Sequence, residues 1–263
     1  MMGTRYILLV FFIVQISFCA VANRKADSLI NIVHEYEKKT HFESDTNYIK
    51  ALIDVSERLK NINPDSSLLF GNKAYELSTR NEYHRGIIKS GLSVAQIYLA
   101  KLNKNKLIEV ANGMMSAAEK TDRKVQCVAY NMLGVAYLFD GAERSSLYQA
   151  KEIFQKALDV CREYNDTVTT IKVLSNLSAA QVELYDYVSA IECLYQAIGL
   201  AERVGMQSGL PVLYHNLANL HYTQKNYDKA IVEQNKGIEL AEKSNEVVNI
   251  ITGMRLFNEV EKK

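Results

Sequence analysis

The stretch "SNLSAAQVELYDYVSAIECLYQAIGLAE" (175–202) returns, much altered, as "HNLANLHYTQKNYDKAIVEQNKGIELAE" (215–242). Asn176-Leu177 becomes Asn216-Leu217, Tyr187 becomes Tyr227, Ala190-Ile191 becomes Ala230-Ile231, and Leu200-Ala201-Glu202 becomes Leu240-Ala241-Glu242. Each pair lies 40 residues apart, with no gap between the two copies. A fixed period of this size constrains the fold strongly. One unit cannot bury its own apolar face, so successive units must stack and share a core.

Further copies lie upstream. "YNMLGVAYLFDGAERSSLYQAKEIFQKALDV" (130–160) repeats the theme, with extra residues near "GAERSS" expected to lengthen its turn. "SGLSVAQIYL" (90–99) nearly copies "SNLSAAQVEL" (175–184), and a degenerate unit runs through 51–77, where Asn63-Pro64-Asp65 marks a turn. Each unit reads as helix, turn, helix. Leu133, Gly134 and Tyr137 share one face of a first helix, and Ala150, Phe154 and Ala157 share one face of a second. Only two prolines and twelve glycines interrupt the chain, which favours long helices. Val and Ile fall at helical spacing, and no segment alternates as a strand would. "TQKNYD" is the expected turn of the last unit, and Pro211 is expected at the entrance of its first helix, where a missing N–H costs little.

The series Leu133-Gly134…Tyr137…Ala150…Phe154…Ala157 resembles the tetratricopeptide repeat. Ala190, Leu194 and Ala197 match its second helix in the next unit, and Ala230 and Gly237 match it in the last. The pattern's tryptophan and closing proline are absent, and the period exceeds the family's usual 34. The resemblance implies an all-α fold, an α-solenoid of about five helix-turn-helix repeats over residues 45–247. An N-terminal helix (23–44) would precede the array, and a C-terminal capping helix (248–263) would close it. Val247, Ile250, Ile251, Met254 and Phe257 would lie along the cap's apolar face, against the last repeat or inside the groove.

Arg5, an apolar run from Tyr6 to Phe18 and the small-x-small site Ala20-Val21-Ala22 have the layout of a secretory signal peptide (1–22), so the mature chain is expected to start at Asn23. The run is shorter than the roughly 20 residues of a comfortable membrane span. Phe18 before Cys19 argues against a lipoprotein signal. The whole chain has 31 Lys+Arg against 30 Asp+Glu, and loss of Arg5 leaves 30 against 30. Zero net charge without a basic cluster disfavours nucleic acid as a partner. The mature chain would keep Cys127, Cys161 and Cys193. Their odd number rules out a complete disulfide framework, and their apolar surroundings make them expected core residues, with one disulfide possible.

Catalytic motifs are missing. His215 and His221 are six apart and share no ligand face, His34, His41 and His84 have no partners at ligand spacing, and HExxH, GxSxG, P-loop and GxGxxG patterns do not occur. No cofactor or metal is expected. Tetratricopeptide arrays bind extended peptides or helices in a concave groove lined by their first helices. Aligned residue by residue, that groove would hold Ile87, Ser90, Val94, Ile97 and Tyr98, then Val128, Asn131, Val135, Leu138 and Phe139. It would continue through Lys172, Ser175, Ala179, Val182 and Glu183 to His215, Asn219, Tyr222 and Thr223. The family's clamp for a terminal carboxylate is not matched: Lys50, Lys172 and Asn131 are scattered, with Asp54 and Glu183 opposing them. The resemblance extends to the exported arrays of bacterial signalling proteins. It implies a periplasmic or envelope-associated sensor or adaptor that binds another protein, without an output domain of its own. An envelope or pilus assembly scaffold is the alternative.

Overall fold

A computed structural model describes residues 25–140 and 143–244. The expected signal peptide and the expected capping helix lie outside the described residues. Among those described, no strand occurs. After α1 (25–37) and a 3-10 turn at Phe42–Ser44, ten helices follow as five consecutive hairpins. These are α2 (Thr46–Leu59) with α3 (Pro64–Arg80), α4 (His84–Ala100) with α5 (Lys104–Glu119), and α6 (Gln126–Asp140) with α7 (Arg144–Glu163). The last two pair α8 (Thr167–Glu183) with α9 (Tyr187–Arg203) and α10 (Leu210–Thr223) with α11 (Tyr227–Ser244). The all-helical fold of about five helix-turn-helix repeats expected from the sequence is therefore present among the described residues. The chain divides into two compact units, 1–122 and 123–263.

One turn design joins most of these helices. The links 81–83, 101–103, 164–166, 184–186 and 224–226 each put their middle residue in the left-handed region: Glu82, Leu102, Asn165, Tyr185 and Lys225. The residue after it reaches back five positions along the chain, as Asp186 N–H does to Gln181 C=O at 2.8 Å and Asn226 N–H to His221 C=O at 2.9 Å. That bond closes the carbonyl end of one helix. In three links the third residue then caps the next helix. Asn103, Asp166 and Asp186 accept from the backbone N–H three residues on. "YDY" thus holds both a stop and a start signal, and "TQKNYD" turns as expected. Pro211 enters α10 in its first turn.

Packing within each hairpin follows the small-large pattern of the repeat. Gly134 on α6 faces the ring of Phe154 on α7, so closely that a Cβ there would stand 2.5 Å from Phe154 Cε1. Ala150, Phe154, Ala157, Ala190 and Ala197 are fully buried. They form the core of the second unit with Leu174, Leu177, Leu194 and Leu217. The extra residues near "GAERSS" do not simply lengthen a turn. Arg144, Ser145 and Ser146 form the first turn of α7, a helix of 20 residues against 17 for α9.

The first unit uses the same device. A Cβ on Gly71 of α3 would meet Val94 Cγ2 at 2.7 Å and Ser56 Oγ at 2.8 Å. Ser56 and Ser67, both fully buried, bond each other's carbonyls and so let α2 and α3 approach closely. Helix α1 closes this unit's N-terminal end. Ala26 and Val33 enter the core beside Tyr48 and Ile49, and Glu37 anchors the polar edge. Its carboxylate accepts from Lys73 Nζ at 2.9 Å and Tyr48 Oη at 2.8 Å, and meets His34 Nδ1 at 3.1 Å. Lys73 holds Glu37 down to about 2 against the upward push of burial, and Tyr48 and His34 add to the depression.

Candidate functional site

The first helices of the second unit, α6, α8 and α10, carry most of the residues expected to meet a partner. On α6, Asn131, Val135 and Phe139 are half-buried, as are Val128 and Leu138. Val135 and Leu138 rest on the core with one side and leave the other open. On α8, Lys172, Ala179 and Glu183 are exposed, while Ser175 and Val182 are half-buried. On α10, His215, Asn219 and Tyr222 are half-buried and Thr223 is exposed. The surface is mixed: an apolar strip from α6, charges from α8, amides and aromatics from α10.

Hydrogen bonds hold parts of this face in place. Asn176 Nδ2 donates to Asn131 Oδ1 at 2.9 Å, which ties α8 to α6. On α10, Asn219 Nδ2 contacts His215 Nε2 at 2.8 Å, and His215 Nδ1 contacts Gln234 Oε1 of α11 at 2.9 Å. These contacts are satisfied together when Asn219 donates to His215 and His215 donates to Gln234, so the neutral Nδ1–H imidazole fits. His215 is a structural link, and no metal arrangement surrounds it. Among the described residues no group of three His, Cys, Asp or Glu could hold a metal ion. Tyr222 stands beside Tyr227 at the turn, with ring centres 5.5 Å apart.

The α4 assignments need correction. Val94 is fully buried against Gly71, and Ile87, Ser90 and Ile97 are buried too. Tyr98 is 9% exposed, and its hydroxyl pairs with Asn72 of α3. These five are packing residues. The likeness of Ser90 to Ser175 implies a shift of 85 residues, but the left-handed links at Leu102 and Tyr185 lie 83 apart. Two residues of helix turn a side chain by about 200°, enough to exchange the outer and inner faces. At the corrected register Lys89, Leu92, Gln96 and Leu99 align with Lys172, Ser175, Ala179 and Val182. Lys89 is exposed and the other three half-buried. The signal that finds them is the turn, which the apparent sequence match overrode.

The first unit has two shallow hollows. A polar one is lined by His41, Glu43, Arg80 and Asn81, and a mixed one by Lys60, Asp65, Gln96 and Lys101 with Pro64, Ile97 and Ala100. Their cations are engaged: Arg80 with Glu43, Lys101 with Asp65 and Lys60 with Gln96. Among the described residues no helix is long and apolar enough to cross a membrane.

Residues 212–244, the last hairpin almost entire, match the tetratricopeptide repeat family model. Among curated proteins no significant match is found. Solved structures resemble the fold at low identity. A thermophilic tetratricopeptide protein from Thermus thermophilus is 17% identical with a TM-score of 0.61, over 78% of this chain and 98% of that one. Aspartyl phosphate phosphatase F from Bacillus subtilis is 17% identical with a TM-score of 0.63, over 88% and 67%. A Rap protein complexed with competence and sporulation factor is 15% identical with a TM-score of 0.58, over 90% and 71%. The last hairpin thus matches the tetratricopeptide repeat, and the chain shares its fold of spaced helical hairpins with solved tetratricopeptide proteins.

Proposed function

We propose that the protein is a non-enzymatic interaction module that holds a segment of another protein against the first helices of its second unit. One observation carries this reading. Phe139 and Tyr222, each one residue from the end of its helix, stay partly open to solvent amid Val135, Leu138 and polar neighbours. Large aromatics left half-covered in a mixed surface are the usual anchors of a docked segment. The fold likeness to a Rap protein solved with competence and sporulation factor supports the reading, because that protein, of similar fold, was found in a complex.

The leader-like N-terminus adds an exported, envelope-associated location, where the protein serves as a sensor or adaptor. Assembly of an envelope structure or pilus is the second reading, favoured only if the partner is a structural component. The test is crosslinking in envelope fractions followed by partner identification, with Phe139→Ala and Tyr222→Ala alongside. A docked partner should be lost from both variants by about tenfold or more, with melting nearly unchanged. A kinase among the partners supports signalling, and secretion or pilus components support assembly. Normal capture by two well-folded variants would place the binding surface elsewhere. Mass spectrometry of the cellular protein should find Asn23 at the N-terminus, and a retained cytoplasmic leader would refute export.

A further inference from the structure

The repeat frame allows the same two positions to be compared in every hairpin. One lies near the start of the first helix, the other near the end of the second, where the open ends of a hairpin meet. In the five hairpins these positions hold Ile49 and Ser78, Ile88 and Ala118, Cys127 and Cys161, Ile171 and Ala201, and Pro211 and Ala241. In four of them an isoleucine or proline on the first helix faces a small alanine or serine on the second. The third hairpin alone sets cysteine at both. A single cysteine would read as a small core residue. Two at facing positions point to chemistry between them.

The geometry agrees. Cys127 and Cys161 are 1% and 0% exposed, and their sulfurs stand 2.6 Å apart. A disulfide bond needs about 2.0 Å, so a small movement of either side chain suffices. The nearest charge is Asp166, the cap of α8, with Oδ2 3.9 Å from Cys127 Sγ. That carboxylate is engaged by Thr169 through both its N–H and its hydroxyl. Cys193, the remaining described cysteine, is also buried but lies on α9.

We propose that Cys127 and Cys161 form an intramolecular disulfide that clasps the open end of the α6–α7 hairpin. The oxidant is a disulfide of a small thiol or of a thiol-exchange protein. The thiolate of one cysteine attacks a sulfur of that disulfide, forms a mixed disulfide and releases one thiolate. The second cysteine's thiolate then attacks the protein-side sulfur and releases the other. Two protein thiols lose two protons and two electrons, and the oxidant becomes two thiols. Both sulfurs are sealed once α7 seats on α6, so the exchange precedes closure of the hairpin. In the closed hairpin the remaining thiols are unequal. The bond from Cys127 favours ionisation of Cys161 first, while that contact, burial and Asp166 all push the Cys127 thiol up. A closed reduced hairpin is slow to react because both sulfurs are sealed from solvent.

The clasp does not depend on the proposed partner or location and can be read on the purified full-length chain. The protein is refolded in a mixture of glutathione and glutathione disulfide. It is then denatured without reductant, labelled with iodoacetamide and weighed. Two fewer labels than in a dithiothreitol-treated sample, with a peptide joining Cys127 to Cys161, is the expected result. The cross-link spans 34 residues, so reduction should lower the melting temperature by on the order of 10 °C. Cys127→Ser and Cys161→Ser should each free the partner for labelling and abolish that difference, while Cys193→Ser should keep it. Equal labelling before and after reduction, a link through Cys193, a link between two chains, or a melting point indifferent to dithiothreitol would each overturn the proposal. Labelling of the unsubstituted chain decides even if a serine variant fails to fold.

Discussion

Replacing Gly134 by alanine tests the packing rule on which the whole array rests. In an exposed helix the change should stabilise by about 1 kcal/mol, because alanine is the better helix former. Here the new methyl would lie 2.5, 2.6 and 2.9 Å from three carbons of the Phe154 ring. Phe154 is fully buried, held between Ala150 and Ala157 on its own helix face, so the ring has no solvent to move into. Separation of α6 from α7 would relieve the contact only by opening the core. Overpacking of this kind costs about 1–3 kcal/mol. Subtracting the helix gain leaves a net loss on the order of 1 kcal/mol.

The chain itself supplies the compensating change. Opposite the equivalents of Gly134, which are Ser178 and Ala218, the phenylalanine position holds Leu194 and Gln234. A larger residue on the first helix thus goes with a narrower one on the second. Phe154→Leu alone should destabilise through the cavity it leaves, by about 1 kcal/mol or more. Combined with Gly134→Ala it should cost less than the sum of the two, with a coupling on the order of 1 kcal/mol. Chemical denaturation of the four proteins, followed by helical circular dichroism, measures the cycle. A neutral or stabilising Gly134→Ala, or strict additivity, would show that this contact does not set the helix spacing.

Ala190→Leu should likewise overpack the α8–α9 hairpin and cost about 1–3 kcal/mol, since Ala190 is fully buried; an unchanged thermal melt would contradict that. Leu102 is 73% exposed at φ 55°, so Leu102→Gly should relieve left-handed strain and raise stability by about 0.5–1 kcal/mol, read as a higher denaturant midpoint. Glu37 titrates in the folded chain near 2, below its ordinary 4.5, so the stability it adds is full above about pH 4.5 and fades as pH falls towards 2. Discounted for a carboxylate that is 30% exposed, Glu37→Gln should cost about 1 kcal/mol at pH 7 and nothing near pH 2, and a difference constant with pH would rule this out.

How much was legible in advance depended on what each stretch of sequence encodes. The second unit could be read almost residue by residue, because Ala190, Ala230, Leu194 and the Tyr187–Tyr227 pair mark both the small-large packing and the turns. The placement of Asn131, Lys172 and Tyr222 on first helices followed directly. In α4 the reading failed by two residues. "SGLSVAQIYL" shares serines, alanine and glutamine with "SNLSAAQVEL", yet such residues are common on both faces of a helix and fix no phase. The phase is fixed by the backbone bond that ends the helix. In α4 this bond runs from Asn103 N–H to Tyr98 C=O, and in α8 from Asp186 N–H to Gln181 C=O. Tyr98 is therefore the counterpart of Gln181, a buried position, and could not have been a groove residue. Similarly, "GAERSS" looked like loop because it is polar, but Ser146 and Leu147 are already buried on α7.

The same frame explains where the array departs from its own pattern. The position held by Tyr137 in the third hairpin is Gln181 in the fourth and His221 in the fifth. Gln181 and His221 are 5% and 3% exposed, and neither Gln181 Oε1 nor either ring nitrogen of His221 has a hydrogen-bond partner. Gln234, at the phenylalanine position of the fifth hairpin, is buried as well but is paired with His215. Burying an unpaired polar group typically costs about 1–3 kcal/mol, so the repeats towards the end of the chain carry a destabilising load that the third does not. Burial also lowers the His221 pKa, with Lys229 adding to the effect, so His221 resists the proton it would accept when unfolded. Stability from this residue is thus present near neutrality and lost as pH falls through the ordinary histidine range. The third hairpin stands at the other extreme, with glycine against phenylalanine and a cysteine pair at its open end. In a stacked array each hairpin's stability is felt mainly by its neighbours. The unpaired groups of α8 and α10 are therefore felt most by the helices beside them, and Asp166, 3.9 Å from Cys127 while capping α8, is one point where the third and fourth hairpins meet.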